Sequence, residues 1–139
     1  MARANLMSPS GSRIKAALVL FGLTSLTAVI GSIGSIQAGS FYAALSQPTW
    51  APPAALFGPV WTTLYLMMAY SGYRIWRRTL HLAHPVLLFF YGQLLLNGLW
   101  SWVFFVGHWG ALAMLNILVL LLLIAGLIQR ARQVDRLSA

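Results

Sequence analysis

A chain of 139 residues is one domain's worth, but 60% of its residues are hydrophobic and 7% charged, against about 45–50% and about 25% in soluble domains. Nine Lys and Arg stand against one acid, Asp135, for a net charge of +8, and there is no cysteine or glutamate. Disulfides, thiolate catalysis, Cys-type metal sites and paired-carboxylate chemistry are therefore excluded, and with a mean hydropathy of +0.79 the chain reads as an integral membrane protein.

Residues 1–13, rich in Ala, Asn, Ser, Pro and Gly, read as a mobile N-terminal tail. A spanning helix needs about 20 mostly apolar residues, and the first such run is 16–36. Preceding basic residues and Ile36-Gln37-Ala38 also fit a cleaved signal peptide, but the run outlasts the about 7–15 apolar residues typical of one. Thr27, Gly31, Ser35 and Gly39 recur every four residues, a smooth stripe for packing inside the chain or for a dimer seam. The loop from Gln37 to Pro53 is uncharged and holds Phe41, Tyr42 and Trp50 among Pro48, Pro52 and Pro53. Such aromatics anchor at headgroup level, and prolines around Trp50 shape a stiff lid.

The second span, 54–73, carries Trp61, Tyr65, Met68, Gly72 and Trp76 at helical spacing, with Pro59 expected to free a backbone carbonyl. The third, 86–106, places Gln93, Asn97, Trp100, Ser101 and Phe104 on one face; amides at that depth face the bundle interior or a cavity, or simply bond between helices. The fourth, 111–128, brings Asn116 into the same membrane half, and 129–139 read as a basic cytoplasmic tail. The expected architecture is all-α: a single membrane domain, 1–139, of four antiparallel helices with short loops.

Arg3, Arg13 and Lys15, then Arg74, Arg77 and Arg78, then Arg130, Arg132 and Arg136 all fall on one side of these spans. The positive-inside rule puts that side, with both termini, in the cytoplasm. Nucleic-acid binding is excluded, since its basic residues line a groove on a soluble scaffold. His81, His84 and His108 share no helix face, so no metal site is expected, and Leu66, Tyr70 and Arg74 match only a loose sterol-contact pattern. An apolar pocket with an aromatic rim and a few polar groups, lying in the bundle under the first loop, suits a flat aromatic ligand.

Three ordered motifs resemble the translocator protein family, also called tryptophan-rich sensory proteins or peripheral benzodiazepine receptors. They are Phe41-Tyr42 leading through Gln47-Pro48-Thr49-Trp50-Ala51-Pro52-Pro53; Pro59-Val60-Trp61-Thr62-Thr63-Leu64-Tyr65 with Met68 and Trp76; and Gln93 to Asn97 followed by Trp100-Ser101 and Phe104-Phe105. The resemblance implies five helices around a pocket open toward the first loop, binding of porphyrins such as protoporphyrin IX, and in several members sterols or synthetic ligands. In some bacterial members it implies light-dependent porphyrin degradation attributed to pocket tryptophans. By motif position it points to Trp50 in the lid, Phe57, Gly58, Val60, Trp61 and Tyr65 on the second helix, Asn97 and Trp100 on the third, and Leu112 and Asn116 at the start of the fourth.

The sequence departs from the family pattern in Gln47, where Lys is usual, in Phe41, where Trp is usual, and in Asn116, where an acid is common. No fifth helix, with its Pro-Tyr-x-x-Trp region, follows the fourth span. The alternatives are a truncated or frameshifted product, or a variant that completes its pocket with a partner chain. The expectation is a receptor or transport-like protein that binds a porphyrin or similar flat hydrophobic ligand, needs no cofactor, has no catalytic residue and forms a homodimer. Competing readings are a porphyrin photo-degrading enzyme using Trp50 and Trp100, and a structural or assembly role without a working pocket. A proton-coupled exporter is disfavoured because the one acid lies in the tail.

Overall fold

The computed structural model describes residues 9–46 and 48–138. The expected departure at Gln47 and the first part of the expected tail lie outside them. Five helices follow in order: α1 (Pro9–Gly34), α2 (Ala38–Ala44), α3 (Phe57–Thr79), α4 (Pro85–Ser101) and α5 (Gly110–Val134). A 3-10 turn leads into α3, a π turn over Trp102–Val106 extends α4, and a second 3-10 turn, Arg136–Ser138, follows α5. There is no strand among the described residues.

Several boundaries differ from the sequence expectation. Residues 9–13, placed in the tail, are helical, since proline is tolerated at a first helical position where its missing N–H has no partner in any case. Residues 129–134, read as tail, continue α5. Three helices are long and apolar enough to cross a membrane: α1 from Ser10, α4 with its π turn, and α5. The fourth expected span is α3, which is 23 residues long and so about 34 Å at 1.5 Å per residue. Arg74, Arg77 and Arg78 in its last turns lower its hydropathy. Pro59 is the third residue of α3, where the backbone N–H has no intrahelical acceptor, so the helix runs on unbroken.

The packed core lies at the end where α1 and α4 begin and α3 and α5 finish. Leu20, Ile75, Trp76, Leu87, Phe90 and Ala131 are buried together there. Helix α1 packs on α3 and α4, and α4 packs on α5. Close approach depends on small residues: a Cβ on Gly72 would lie 2.8 Å from the Phe90 ring, and one on Gly98 would lie 3.3 Å from the Thr27 methyl. Gly72→Val is expected to cost about 1–3 kcal/mol by overpacking, seen as a lower melting temperature of the purified protein. The Thr27, Gly31, Ser35 stripe is used within the chain, because Thr27 meets Gly98, Gly31 faces Tyr65 and Ser101, and Ser35 Oγ donates to Ser101 Oγ at 3.0 Å.

At the same end Arg74 grips Asp135 with two hydrogen bonds, Nε to Oδ2 at 2.7 Å and Nη2 to Oδ1 at 3.0 Å. Arg78 approaches within 4.0 Å. The aspartate side chain is 6% exposed, so this fork-on-carboxylate pair ties the last turns of α3 to the residue just after α5. Toward the opposite end the helices loosen. The buried residues of α3 (Ala69, Gly72, Ile75 and Trp76) all lie in its second half, and its first half leaves the bundle open beside α4 and α5.

Candidate functional site

The loose end is organised by aromatic rings. Trp100, in the last turn of α4, stacks on Phe104 with centroids 5.1 Å apart and planes at 16°. The π turn, closed by the Gly107 N–H on the Trp102 carbonyl at 2.8 Å, carries Phe104 and Phe105, and Phe105 meets Trp100 edge-on at 5.5 Å. The wider i to i+5 turn sets both phenylalanines around one tryptophan. Phe41 of α2 comes down edge-on against Phe104 and Phe105 and tilts over His108 at 5.4 Å. Its neighbour Tyr42 meets Phe57 edge-on at 5.2 Å and donates its Oη–H to the Pro52 carbonyl at 3.0 Å. Two adjacent aromatic residues thus dock the first loop onto both α4 and α3.

The polar residues of the third span divide. Gln93 Nε2 donates to Met68 Sδ at 3.7 Å, and Asn97 Nδ2 donates to the Gln93 carbonyl and to Gln93 Oε1, at 3.0 and 2.8 Å. Both residues are buried, so the Asn97 amide hydrogens are spent within its own helix. Ser101 turns to α1. Among the described residues, two side-chain polar atoms in buried positions have no hydrogen-bond partner: Trp100 Nε1 and Asn116 Oδ1. One is a donor and the other an acceptor, and both are of the kind that buried polar groups are otherwise satisfied to avoid.

The other expected site residues sit on the open side. Trp61 pairs with Tyr65 at 5.8 Å, and the Tyr65 hydroxyl reaches to Gly31 of α1. Phe57, Val60, Trp61 and Leu112 remain substantially exposed, and Gly58 has open space where a Cβ would be. Trp50 lies in the Pro48–Ala51 turn, closed by the Ala51 N–H on the Pro48 carbonyl, and is 82% exposed. A tryptophan so placed suits an interfacial anchor. The loop rings that pack on the helices are Phe41 and Tyr42. An open groove of about 560 Å³ lies within the loop itself, between Gly39, Tyr42, Leu45 and Ala51–Ala54, and none of the ten expected residues lines it. His84 Nδ1 accepts the Val86 N–H at the start of α4, at the other end of the bundle from His108.

The model of the TspO/MBR family matches residues 16–139. The chain belongs to the TspO/MBR family. Similar relatives include the human translocator protein, 39% identical over 62% of this chain and 50% of its own length. Protein CrtK of Rhodobacter capsulatus is 39% identical over 68% of this chain and 60% of its own length. A tryptophan-rich protein TspO of Archaeoglobus fulgidus is 40% identical over 49% of this chain and 50% of its own length. The chain spans about half the length of the first of these TspO/MBR relatives. Membership and the apolar helices together make this an integral membrane protein.

Proposed function

We propose that this TspO/MBR protein is a receptor-like binder of a flat hydrophobic ligand of the porphyrin class, taken up at the loose end between α3, α4 and α5. The supporting observation is the unpartnered Trp100 Nε1 beside stacked rings, with a second unpartnered polar atom, Asn116 Oδ1, on α5. A porphyrin offers a large π face for the aromatic residues and both donors and acceptors at its polar groups. Trp61 and Tyr65 would form the α3 side of the site, and Asn97 would act indirectly by holding Gln93 in place. Chemistry on the pigment, if any, would be the ligand's own, since the chain has no paired carboxylates and no thiol.

The test is a dark titration of the protein in lipid nanodiscs with protoporphyrin IX, following the pigment's absorption band and tryptophan emission. Saturable, stoichiometric binding is expected. Asn116→Leu and Trp100→Phe, each removing one polar atom while keeping bulk, should weaken it about 3- to 10-fold, the worth of a neutral hydrogen bond. Non-saturable partitioning, unchanged in both variants, would dispose of the proposal. Loss of pigment only under illumination, and only with Trp100 present, would turn the reading toward a photo-degrading enzyme.

The same proposal places the basic end in the cytoplasm. Because the chain has no cysteine, single-cysteine variants report side directly. Ser46→Cys in the first loop should react with a membrane-impermeant maleimide added outside intact cells, and Gln133→Cys should react only after permeabilisation. The reverse pattern would invert the topology.

A further inference from the structure

The chain has a single Asp or Glu side chain, Asp135, and Arg74 and Arg78 already occupy it. Arg13, Lys15, Arg77, Arg132 and Arg136 lie at the same end, and the sequence offers them no second acidic side chain. Lys15 differs from the rest in its setting. It borders a concavity of about 200 Å³ between the start of α1 and the turn joining α3 to α4. Ser12, Lys15 and His81 are its polar lining, and Ala16, Leu80, Leu82 and the buried Trp76 its apolar floor and wall. Leu80 shapes that turn as the left-handed cap of α3, with φ 59° and its N–H on the Trp76 carbonyl at 2.7 Å.

An apolar track continues from the groove. Leu18 lies one turn beyond Lys15 on the same side of α1 and is 70% exposed. One turn further, a Cβ on Gly22 would meet nothing within 4 Å. A cationic rim over an apolar floor, opening onto an apolar track that runs along a membrane helix, has the layout of a phospholipid: phosphate at the top and acyl chain below. We propose that this groove binds the phosphate of an anionic phospholipid of the surrounding bilayer, with the Lys15 ammonium and the His81 imidazole facing the phosphate and one acyl chain lying along Leu18 and Gly22. A free phosphate ester would share the rim but would leave the floor and track unused.

The test is native mass spectrometry of the whole protein released from nanodiscs of phosphatidylcholine doped with phosphatidylglycerol, with melting curves to confirm folding. One phosphatidylglycerol should be retained in preference to phosphatidylcholine. Lys15→Gln should weaken that retention about fivefold, the usual worth of one basic residue at an anionic surface. Lys15→Arg should keep it, and Ser12→Leu, which fills the groove without changing charge, should reduce it as well. Arg132→Gln removes the same charge from the same end outside the groove and should leave retention within about twofold. Equal losses in Lys15→Gln and Arg132→Gln would overturn the site in favour of diffuse attraction, and so would absence of any preference in the wild type. Displacement of the lipid by soluble glycerol phosphate would overturn the lipid assignment in favour of a free phosphate ester.

Discussion

Phe90→Ala is expected to destabilise the bundle by on the order of 2–3 kcal/mol, the low end of a core phenylalanine truncation. Phe90 is among the largest fully buried side chains and fills the space left by Gly72 where α3 meets α4. In a membrane, lipid tails are as apolar as the protein interior, so the loss comes from missing contacts and an unfilled void more than from water exposure. Thermal melting in nanodiscs measures it. Leu95→Ala, on the lipid-facing side of the same helix at 64% exposure, should stay within about 0.5 kcal/mol of the wild type. The two helices should also show coupling: Gly72→Ala, damaging beside Phe90, should become nearly neutral in a Phe90→Leu background, because the ring it collides with is gone. Additive losses would mean that Gly72 and Phe90 are not in contact.

Trp100→Ala is expected to weaken protoporphyrin binding by about 1–3 kcal/mol, or about 5- to 150-fold, the worth of a buried aromatic side chain. The substitution removes the ring stacked on Phe104 and the unpartnered Nε1 together. Comparison with Trp100→Phe separates the two contributions, since phenylalanine keeps most of the stacking and lacks only the N–H. Trp50→Ala should have little effect on affinity, because that indole is largely exposed. A large loss in Trp50→Ala with none in Trp100→Ala would move the site to the first loop around Trp50.

The long helices were legible because a membrane imposes a length and an apolar composition on each. The sorting of basic residues to one end was legible because charge cannot rest in hydrocarbon. The Gln93–Asn97 bond was not: the sequence set these amides facing the interior or a cavity or bonding between helices, whereas they bond to each other one turn apart on α4. Helix α2 was not, for seven residues have little helical tendency alone, and this helix stands because Phe41 and Tyr42 are anchored on other elements. Nor could the exposure of Trp50 be read, since prolines announce a turn without saying how far its side chains are covered. The partner of Asp135 was hidden differently: three arginines at the end of α3 could equally have met it, 61 residues away, and only the helix ends decide that Arg74 takes both oxygens.

The uneven packing of the helices has a mechanical side. They are gripped where Phe90, Trp76 and Leu87 pack and where Arg74 holds Asp135, while the first half of α3 buries no side chain. A rod held at one end amplifies small rotations. Pivoting α3 by about 5° about its grip would move its far end by about 3 Å over a length of about 34 Å, with the core left intact. Such a motion would strain the Tyr42–Phe57 and Tyr65–Gly31 contacts but leave the buried core in place, as local openings of a folded protein do. The bundle is built like a tuning fork: stiff at the stem, with its tines free to part for a broad, thin guest and to close behind it.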